Sequence, residues 1–368
     1  MFAVDTKTFS LYGGGIAHFF APLLQAWARS SSGPLLTMIG PNFDRKNFAI
    51  PKWLCQYEVV WPDYLPRSCR HPYYDNVQFP GVIRALQPKA VFSPYHDVRL
   101  PKHIPSVMTV HDLCLDELPQ AYPLKIRAYY LAMLRFNLKR AHFLLTVSEF
   151  TKQAIIDRYR WPEDRIAVIY NTISSEFSRN HYNAVSPIAW RKKFSFDAPL
   201  LLYTAGIEYR KNIPRLLVAL DELNSADKNA PMLLVTGYQN QQWQTLLATV
   251  SKRLRKKVWF LGYLSLEELR VAYESVDAVV FPSLGEGFGR ACLESMACGT
   301  PIACSDLPVF REVAADYPTY FDPKSIESIV VGIHGALNTG RKTSVIDSRF
   351  DLLSVQSKFL NIMHEVFP

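Results

Sequence analysis

Short apolar runs alternate with longer amphipathic stretches along both halves of the 368-residue chain. Runs rich in Val, Ile, Leu and Phe that end at Gly, Pro or a polar residue predict strands buried on both faces. In the first half they predict strands at FAVD (2–5), LLTMIG (35–40), AVFSP (90–94), SVMTVHD (106–112), HFLLTVS (142–148) and RIAVIYN (165–171). The stretches between them predict helices over 15–29, 77–87, 124–140 and 149–159.

The same alternation restarts after a polar stretch, 172–196, which we interpret as a linker. Predicted strands follow at 200–206, 231–237, 258–263, 277–282 and 300–305, with helices over 211–225, 240–254, 265–275 and 289–298. Alternating strands and helices favour parallel sheets covered on both faces. The prediction is therefore an α/β protein of two doubly wound, Rossmann-like domains, 1–180 and 181–347, followed by a C-terminal helical segment, 348–368. Residues 41–75 receive no predicted element.

Composition narrows the class of protein. A hydrophobic content of 49% with 20% charged residues is typical of a globular chain. The chain has no run of about 20 apolar residues and does not begin like a signal peptide, which predicts a soluble, cytoplasmic protein. The six cysteines contain no CxxC pair, so we expect reduced thiols rather than a disulfide framework or a zinc site.

The net charge of +8 is concentrated in the first half. Lys and Arg number 21 against 14 Asp and Glu in residues 1–182, and 20 against 19 in residues 183–368. Within 124–143, basic residues interleave with Tyr, Leu and Phe, a pattern found in helices that lie in a membrane interface. An anionic membrane surface is therefore one predicted partner, and a core helix with a solvated basic face is the alternative.

The most informative string is SLGEGFGRACLESMACGTPIACS, residues 283–305, where a glycine-rich turn joins a predicted strand to a predicted helix. Backbone N–H groups and the dipole at a helix start favour an anion. Glu286 stands in the turn and Glu294 about one turn into the helix. Ionised carboxylates accept hydrogen bonds from hydroxyl groups. An anion that carries many hydroxyls is a sugar nucleotide.

Two other segments suit a phosphate group. Arg210 and Lys211 follow the strand at 200–206 and precede a predicted helix, where the helix dipole again favours an anion. Gly13, Gly14 and Gly15 follow the first strand and open a helix, and a glycine run lets the backbone approach a phosphate closely. Each signal is weak alone, because glycine turns and basic helix starts are common.

Histidine and aspartate residues mark the ends of two strands in the first half. TVHDL places His111 directly after one predicted strand, and SPYHD places His96 and Asp97 after the strand before it. Carboxyl ends of parallel strands lie at one edge of a sheet, so we expect these side chains at the same edge. Buried, structurally satisfied residues are the alternative interpretation of His111 and its neighbour Asp112.

The string around Glu286 and Glu294 resembles the Glu-x7-Glu signature of the retaining glycosyltransferase family 4, and EYRKN resembles the second donor motif of that family. This resemblance implies the GT-B fold, with two Rossmann-like domains that face each other across a cleft and a C-terminal helix, within 348–368, that crosses back to the N-terminal domain. It implies that the N-terminal domain binds an acceptor and the C-terminal domain binds a nucleoside diphosphate sugar.

The resemblance also implies roles for the motif residues. Glu286 would orient the donor sugar and stabilise its oxocarbenium-like centre, and Glu294 would hold the ribose hydroxyls. Lys211 and Arg210 would neutralise the diphosphate. The resemblance also places Gly13, Gly14, Gly15, Gly287, Phe288 and Gly289 near the donor, Tyr263 and Leu264 at its nucleobase and His111 at the donor sugar. His96 and Asp97, at the same sheet edge one strand earlier, are candidates for binding the acceptor, and Arg290 is a further candidate near the donor.

Arg290 departs from the family pattern, in which an apolar residue commonly follows GFG. We interpret it either as a charge directed at the donor or as an outward-facing side chain. The chain shows no D-x-D pair of the kind that binds a divalent ion in metal-dependent transferases, so neither a metal nor another cofactor is predicted.

The predicted function is the transfer of a hexose, with retention, to a lipid-linked or oligosaccharide acceptor. The preferred prediction for the hexose is mannose, with GDP-mannose as the donor. Such an acceptor would belong to O-antigen or exopolysaccharide assembly at the inner face of the cytoplasmic membrane. UDP- and dTDP-sugar donors stay open. A sugar-nucleotide epimerase and a basic nucleic-acid-binding protein are the other classes considered, and nucleic acid is not a predicted partner.

Overall fold

A computed structural model describes residues 1–7, 15–30, 36–41, 57–59, 71–177, 186–192, 198–227, 229–237, 239–344 and 346–367. Contacts divide the chain into two compact units. The first contains 1–119, 123–172 and 352–368, and the second contains 120–122 and 173–351. The predicted domain boundary at residue 180 lies outside the described residues.

The first unit is built on a parallel sheet, with seven strands among the described residues. The strands are β1 (Phe2–Asp5), β2 (Leu36–Pro41), β3 (Tyr57–Val59), β4 (Ala90–Ser93), β5 (Ser106–Val110), β6 (Phe143–Thr146) and β7 (Ile166–Val168). Their order is β3-β2-β1-β4-β5-β6-β7. Six of the seven lie where the apolar runs predict them. β3 was missed because its three residues, YEV, include a charged residue and form no apolar run.

The helices of the first unit are α1 (Gly15–Arg29), α2 (Phe79–Leu86), α3 (Cys114–Glu117), α4 (Leu124–Leu138) and α5 (Glu149–Tyr159). A π-helical turn, Tyr74–Gln78, leads directly into α2. Such turns are rare and frequently mark functional positions. Ser148 begins α5 by accepting a hydrogen bond from the Thr151 N–H at 3.1 Å, so its role is a helix cap.

The second unit has its own parallel sheet, with six strands in the described part of the chain. They are β8 (Leu200–Tyr203), β9 (Met232–Val235), β10 (Val258–Phe260), β11 (Ala278–Phe281), β12 (Ile302–Ser305) and β13 (Thr319–Phe321). Their order is β10-β9-β8-β11-β12-β13. Every residue of β8, β9, β11 and β12 is buried, as expected for strands between two layers of helices.

The remaining helices are α6 (Pro187–Arg191), α7 (Ile213–Ala226), α8 (Gln241–Ala248), α9 (Lys252–Arg255), α10 (Leu266–Ser275), α11 (Arg290–Ala297), α12 (Pro308–Ala314), α13 (Ile326–Thr339) and α14 (Leu352–Val366). The single helix predicted over 240–254 is two helices, because the Ser251 side chain caps α9 by accepting from the Leu254 N–H. Residues 306–337, for which nothing was predicted, form α12, β13 and most of α13.

The predicted linker contains a helix that packs on the second unit, so that part of the interpretation is wrong. Ser186 caps α6, and Trp190 within it is buried. The Arg191 guanidinium donates to the Asp277 carboxylate at 2.8 Å and to the Ser275 carbonyl at 2.9 Å. These contacts depend on residues more than 80 positions away, which a local polarity pattern does not reveal.

The C-terminal helix α14 packs on α1 within the first unit. Its Phe359 is fully buried, and its ring centroid lies 6.1 Å from that of Trp27 and 6.0 Å from that of Phe92. The Gln356 amide donates to the Pro22 carbonyl at 3.1 Å. This last stretch of sequence therefore completes the core of the first unit.

Four cysteines lie in the described residues, and all are free thiols: Cys114, Cys292, Cys298 and Cys304. Burial raises the pKa of the Cys298 and Cys304 thiols, which makes them poor nucleophiles. Cys55 and Cys69 lie outside the described residues. Among the helices that the structure describes, none combines the length and the apolar character needed to cross a bilayer.

In each sheet the strand order reverses at one central strand, because the strands that follow it extend the sheet first on one side and then on the other. β8 lies between β9 and β11, and β1 lies between β2 and β4. Ligands of open α/β sheets bind beyond the carboxyl ends of the strands at such a switch point. The residues that follow β8 and β11, and those that follow β1 and β4, are therefore the first places to look for a site.

Candidate functional site

Two loops meet beyond the carboxyl ends of β8 and β11. β8 leads to a 3-10 turn, Tyr209–Lys211, and β11 leads to the loop that contains Ser283 and Glu286. The Leu284 N–H donates to the Arg210 carbonyl at 2.7 Å, which ties the loops together. Charged residues about 75 positions apart in sequence are thereby held at one point.

Glu286 lies between two cations at this point. Its carboxylate accepts hydrogen bonds from Lys211 Nζ at 2.6 Å and from Arg210 Nη1 at 2.8 Å. Ser283 Oγ donates to the same carboxylate at 2.8 Å. The Glu286 side chain is 13% exposed. Two positive charges against one negative charge leave this cluster with a formal charge of +1.

The pKa of Glu286 reflects these partners. Burial alone would raise it, but Lys211 and Arg210, with the hydrogen bonds from Lys211 and Ser283, lower it to about 2. The carboxylate is therefore ionised throughout the neutral range. It is also a very weak base, so it is poorly suited to carry a proton at neutral pH.

Two helix starts add positive potential. Arg210 and Lys211 directly precede α7, whose N-cap residue, Asn212, has φ +56° and donates its side-chain N–H to the Pro323 carbonyl at 2.8 Å. Asn is among the few residues that adopt this left-handed conformation readily. The dipole of α7 therefore acts together with the two cations to favour an anion.

Gly289 begins α11 and has φ +92°. A Cβ atom at this position would lie 2.6 Å from the Phe310 ring, so the site has no room for a side chain. Phe288 is buried, and its ring centroid lies 5.8 Å from that of Phe350. The GFG string therefore starts α11 at a residue without a side chain, and the buried ring of Phe288 fixes the turn that precedes it.

Glu294 is held by two groups of its own. Its Oε2 accepts from the Tyr273 hydroxyl at 3.0 Å, and its Oε1 accepts from Arg290 Nε at 3.0 Å. The Tyr273 hydroxyl also lies 3.0 Å from Thr204 Oγ1, just after β8. Burial, followed by the charge of Glu294, raises the pKa of Tyr273 well above its ordinary value, so the phenol stays protonated and donates.

Arg290 therefore has a partner that neither sequence interpretation proposed. It forms an i,i+4 ion pair with Glu294 on α11. Tyr273 and Thr204 were missed altogether, because a tyrosine within α10 and a threonine after a strand carry no local signal. Of this group the sequence had singled out Glu294 and Arg290, and their i,i+4 spacing was visible in it.

Tyr263 and Leu264 follow β10, the edge strand of the second sheet, two places from β8. Tyr263 is 77% exposed and Leu264 is half-buried. The backbone near them is fixed by a hydrogen bond from the Gly237 N–H to the Gly262 carbonyl at 2.7 Å. Their assignment to a nucleobase stays a prediction.

His111 follows β5 in the first unit, as the TVHDL string predicts. Its Nε2 lies 2.8 Å from the Pro94 carbonyl, and burial lowers its pKa, so the imidazole is neutral at pH 7. Asp112 accepts from the Cys114 N–H at 3.0 Å and so helps to start α3. Gly13 and Gly14 lie outside the described residues, and Gly15 is the first residue of α1.

Asp97 belongs to a group of buried charges that we call the Lys7 cluster: Asp5, Lys7, Asp75 and Asp97. The Lys7 ammonium pairs with both Asp75 and Asp97. Asp5 accepts from the Lys7 N–H at 3.0 Å and from the Tyr74 hydroxyl at 3.0 Å. The sequence offered no motif for Lys7 or Asp75, because the π-helical turn brings Asp75 to β1 from nearly 70 positions away.

Comparison with known proteins agrees with this architecture. The family profile described as "Glycosyltransferase Family 4" matches residues 13–177, and that described as "Glycosyl transferases group 1" matches residues 188–347. The sucrose-phosphate synthase structure (tll1590) from Thermosynechococcus elongatus superposes with a TM-score of 0.77, covering 100% of this chain and 98% of that one, at 18% identity.

The two α/β units therefore have the GT-B fold of glycosyltransferases. The chain belongs to glycosyltransferase family 4.

Two curated relatives are O-antigen mannosyltransferases by name. The O-antigen chain mannosyltransferase B of Escherichia coli is 30% identical over 225 residues, 61% of this chain and 59% of that protein. The O-antigen chain mannosyltransferase RfbU of Salmonella typhimurium is 30% identical over 254 residues, 67% of this chain and 65% of that protein. The matched regions thus span about three fifths of the length of these relatives.

Proposed function

We propose that this protein transfers a hexose, with retention, from a nucleoside diphosphate sugar to a lipid-linked glycan, and that the donor is GDP-mannose. The observation that carries the proposal is Glu286 held between Lys211 and Arg210 where β8 and β11 end. The names of the O-antigen mannosyltransferase relatives support mannose and a cell-surface glycan. UDP- and dTDP-sugars are the alternative donors.

The proposed step breaks the bond between the anomeric carbon and the donor phosphate oxygen, and the electron pair goes to the diphosphate. Lys211, Arg210 and the starts of α7 and α11 stabilise the negative charge that develops there. The acceptor oxygen bonds to the anomeric carbon on the same face, and its proton goes to the departing phosphate. The low pKa of Glu286 supports this route, since it leaves Glu286 unsuited to take that proton.

Glu286 and Glu294 take different parts in this proposal. Glu286 orients the sugar hydroxyls and stabilises the oxocarbenium-like centre. Glu294, oriented by Tyr273 and Arg290, accepts from the ribose hydroxyls. The two cations supply the positive charge, so we propose that no metal ion or other cofactor takes part. His111, His96 and Asp97 are proposed to serve the sugar substrates.

The nucleotide preference is tested by thermal unfolding with GDP-mannose, UDP-glucose, UDP-galactose and dTDP-rhamnose. A ligand at 100 times its dissociation constant stabilises the native state by about 2.7 kcal/mol. We expect GDP-mannose to raise the Tm by several degrees and the other three by less. A larger shift with a UDP- or dTDP-sugar would reassign the donor. Conversion of the sugar nucleotide to an epimer in the absence of any acceptor would contradict transfer itself.

We also propose that α4 rests on an anionic membrane surface. Leu124 and Ile126 in its first turn are 76% and 47% exposed, and Lys125, Arg135 and Lys139 are exposed along the helix. Exposed apolar and basic side chains on one helix suit the interface of an anionic bilayer. We expect the protein to float with phosphatidylglycerol vesicles and the Leu124→Ser/Ile126→Ser variant to float less. Equal flotation with pure phosphatidylcholine vesicles would contradict the proposal.

A further inference from the structure

The Lys7 cluster lies at the switch point of the first sheet. Asp5 is the last residue of β1, Lys7 follows it, and Asp97 lies just beyond β4, the neighbouring strand. Asp75 enters from the π-helical turn. Open α/β sheets bind ligands at this edge. The proposed diphosphate site occupies the equivalent edge of the second sheet, so the cluster is a separate concentration of charge.

The cluster is negative and buried. Its four side chains comprise three carboxyl groups and one ammonium, which gives a formal charge of −2. Each of these residues is at most 4% exposed. Among the described residues, Lys7 is the one cation that ion-pairs with these carboxylates, and its ammonium lies between Asp75 and Asp97.

Most of the carboxyl oxygens in this cluster have partners, but two buried polar atoms do not. Asp75 Oδ1 accepts from Lys7 and its Oδ2 accepts from the Tyr129 hydroxyl at 3.0 Å. In contrast, Asp97 Oδ1 and His96 Nδ1 have no hydrogen-bond partner within the described part of the chain. Asp97 is 4% and His96 3% exposed. Buried polar atoms are nearly always hydrogen-bonded, so these two adjacent residues have hydrogen-bonding capacity that a ligand can use.

The titratable groups around Asp97 indicate which kind of ligand can bind there. Burial lowers the pKa of His96 to about 4, so its ring is neutral at pH 7. Burial, followed by the charge of Asp97, raises the pKa of Asp75 to about 8, and the charge and hydrogen bond of Lys7 oppose this shift. A ligand hydroxyl can donate to Asp97 Oδ1 and exchange a hydrogen bond with neutral His96. A phosphate or carboxylate would meet Asp97 without a cation to compensate it, because Lys7 is engaged.

We infer that Asp97 and His96 bind the terminal sugar of the acceptor through its hydroxyls and select an uncharged sugar over an anionic one. The inference rests on the proposed glycosyl transfer and adds the chemical class of the acceptor. Lys7 acts as a positioning residue, because its ammonium pairs with the Asp97 carboxylate. A purely structural cluster would bind no sugar and would show no preference between the two classes.

The test compares neutral glycosides with their 6-phosphates: the octyl glycosides of mannose, glucose, galactose and N-acetylglucosamine. Binding is measured by calorimetry in the presence of GDP, and transfer by mass spectrometry with GDP-mannose. For the glycoside that binds best, we expect at least thirtyfold tighter binding than for its 6-phosphate. This comparison uses the unchanged protein and depends on no variant.

Two variants locate the selectivity. Asp97→Asn removes the charge and is expected to weaken binding of the best neutral glycoside about tenfold and to reduce its advantage over the 6-phosphate about tenfold. Asp75→Asn is the matched control, since that residue pairs with the same lysine but has both oxygens occupied. We expect it to change acceptor binding less than threefold.

Equal or tighter binding of the 6-phosphates would overturn the inference, as would failure of every neutral glycoside to bind. Equal effects of Asp97→Asn and Asp75→Asn would overturn the assignment to Asp97. In each case stabilisation by a nucleoside diphosphate sugar would leave the proposed transferase intact. Absence of that stabilisation together with absence of transfer would overturn the proposed function and this inference with it.

Discussion

Replacing Glu286 by glutamine is expected to lower kcat by about 100- to 1000-fold, the range typical of losing one electrostatic contact to a transition state. The variant keeps the shape of the side chain and removes its charge. In the proposed mechanism, the sugar centre then loses its stabilising carboxylate. At the same time Lys211 and Arg210 lose the anion that now binds them at 2.6 and 2.8 Å. GDP should therefore bind at least as tightly to Glu286→Gln as to the unchanged protein.

Steady-state kinetics with GDP-mannose and calorimetry with GDP check this prediction together. Glu294→Gln serves as the comparison, because Glu294 lies on the same loop-and-helix segment but is held by Tyr273 and Arg290. We expect that variant to raise the donor KM about tenfold with a smaller change in kcat. A Glu286→Gln variant that retains its kcat, or that binds GDP tenfold more weakly, would contradict the assigned role.

Replacing Lys211 by alanine is expected to lower kcat/KM for the donor by about 100-fold or more, since each charge-assisted contact to a developing oxyanion contributes a factor of this size. The change removes one of the two positive charges beside the proposed diphosphate. It also leaves Glu286 with Arg210 and Ser283 as partners. The GDP dissociation constant should rise as well, in contrast to the Glu286 variant.

The control is Lys252→Ala, which removes an exposed lysine from α9 in the same unit. We expect no measurable change in its transfer rate, and no change in any variant when EDTA is added. The double variant Lys211→Ala/Glu286→Gln should lose less than the product of the two single losses, because the residues are in contact. Strict additivity of the two effects would mean that they act independently, contrary to the geometry.

The pattern of apolar residues predicted much of the fold because strands buried on both faces show their burial in the sequence itself. β8, β9, β11 and β12 were all predicted near their observed positions. The errors have two causes. Neither β3 (YEV) nor β13 (TYF) contains a run of Val, Ile, Leu or Phe, and α6 is held by Arg191 contacts to residues far along the chain. Strands without an apolar run and elements stabilised by distant contacts leave no such signal in the sequence.

The residues of the candidate site also fall into those that the sequence indicated and those that only the structure showed. Glu286, Glu294 and the GFG turn lie close together in the sequence, and their spacing alone indicated a helix start with two carboxylates. The partners of those carboxylates were visible only in part. Arg210 and Lys211 were predicted near the donor, but nothing in the sequence showed that both donate to Glu286. Tyr273 was not predicted at all, and of the Lys7 cluster only Asp97 was.

The sequence by itself determined the order of strands and helices, the positions of the glycine turns and the family to which the chain belongs, since these depend on neighbours along the chain. The tertiary structure decided which charges meet. Parallel strands bring loops that are distant in sequence to one edge of a sheet. Burial at that edge strengthens the interactions between the charges that lie there, because the local dielectric constant is lower than in water. For that reason only the fold shows that Glu286 is fixed by two cations and that Asp97 pairs with a lysine from the start of the chain.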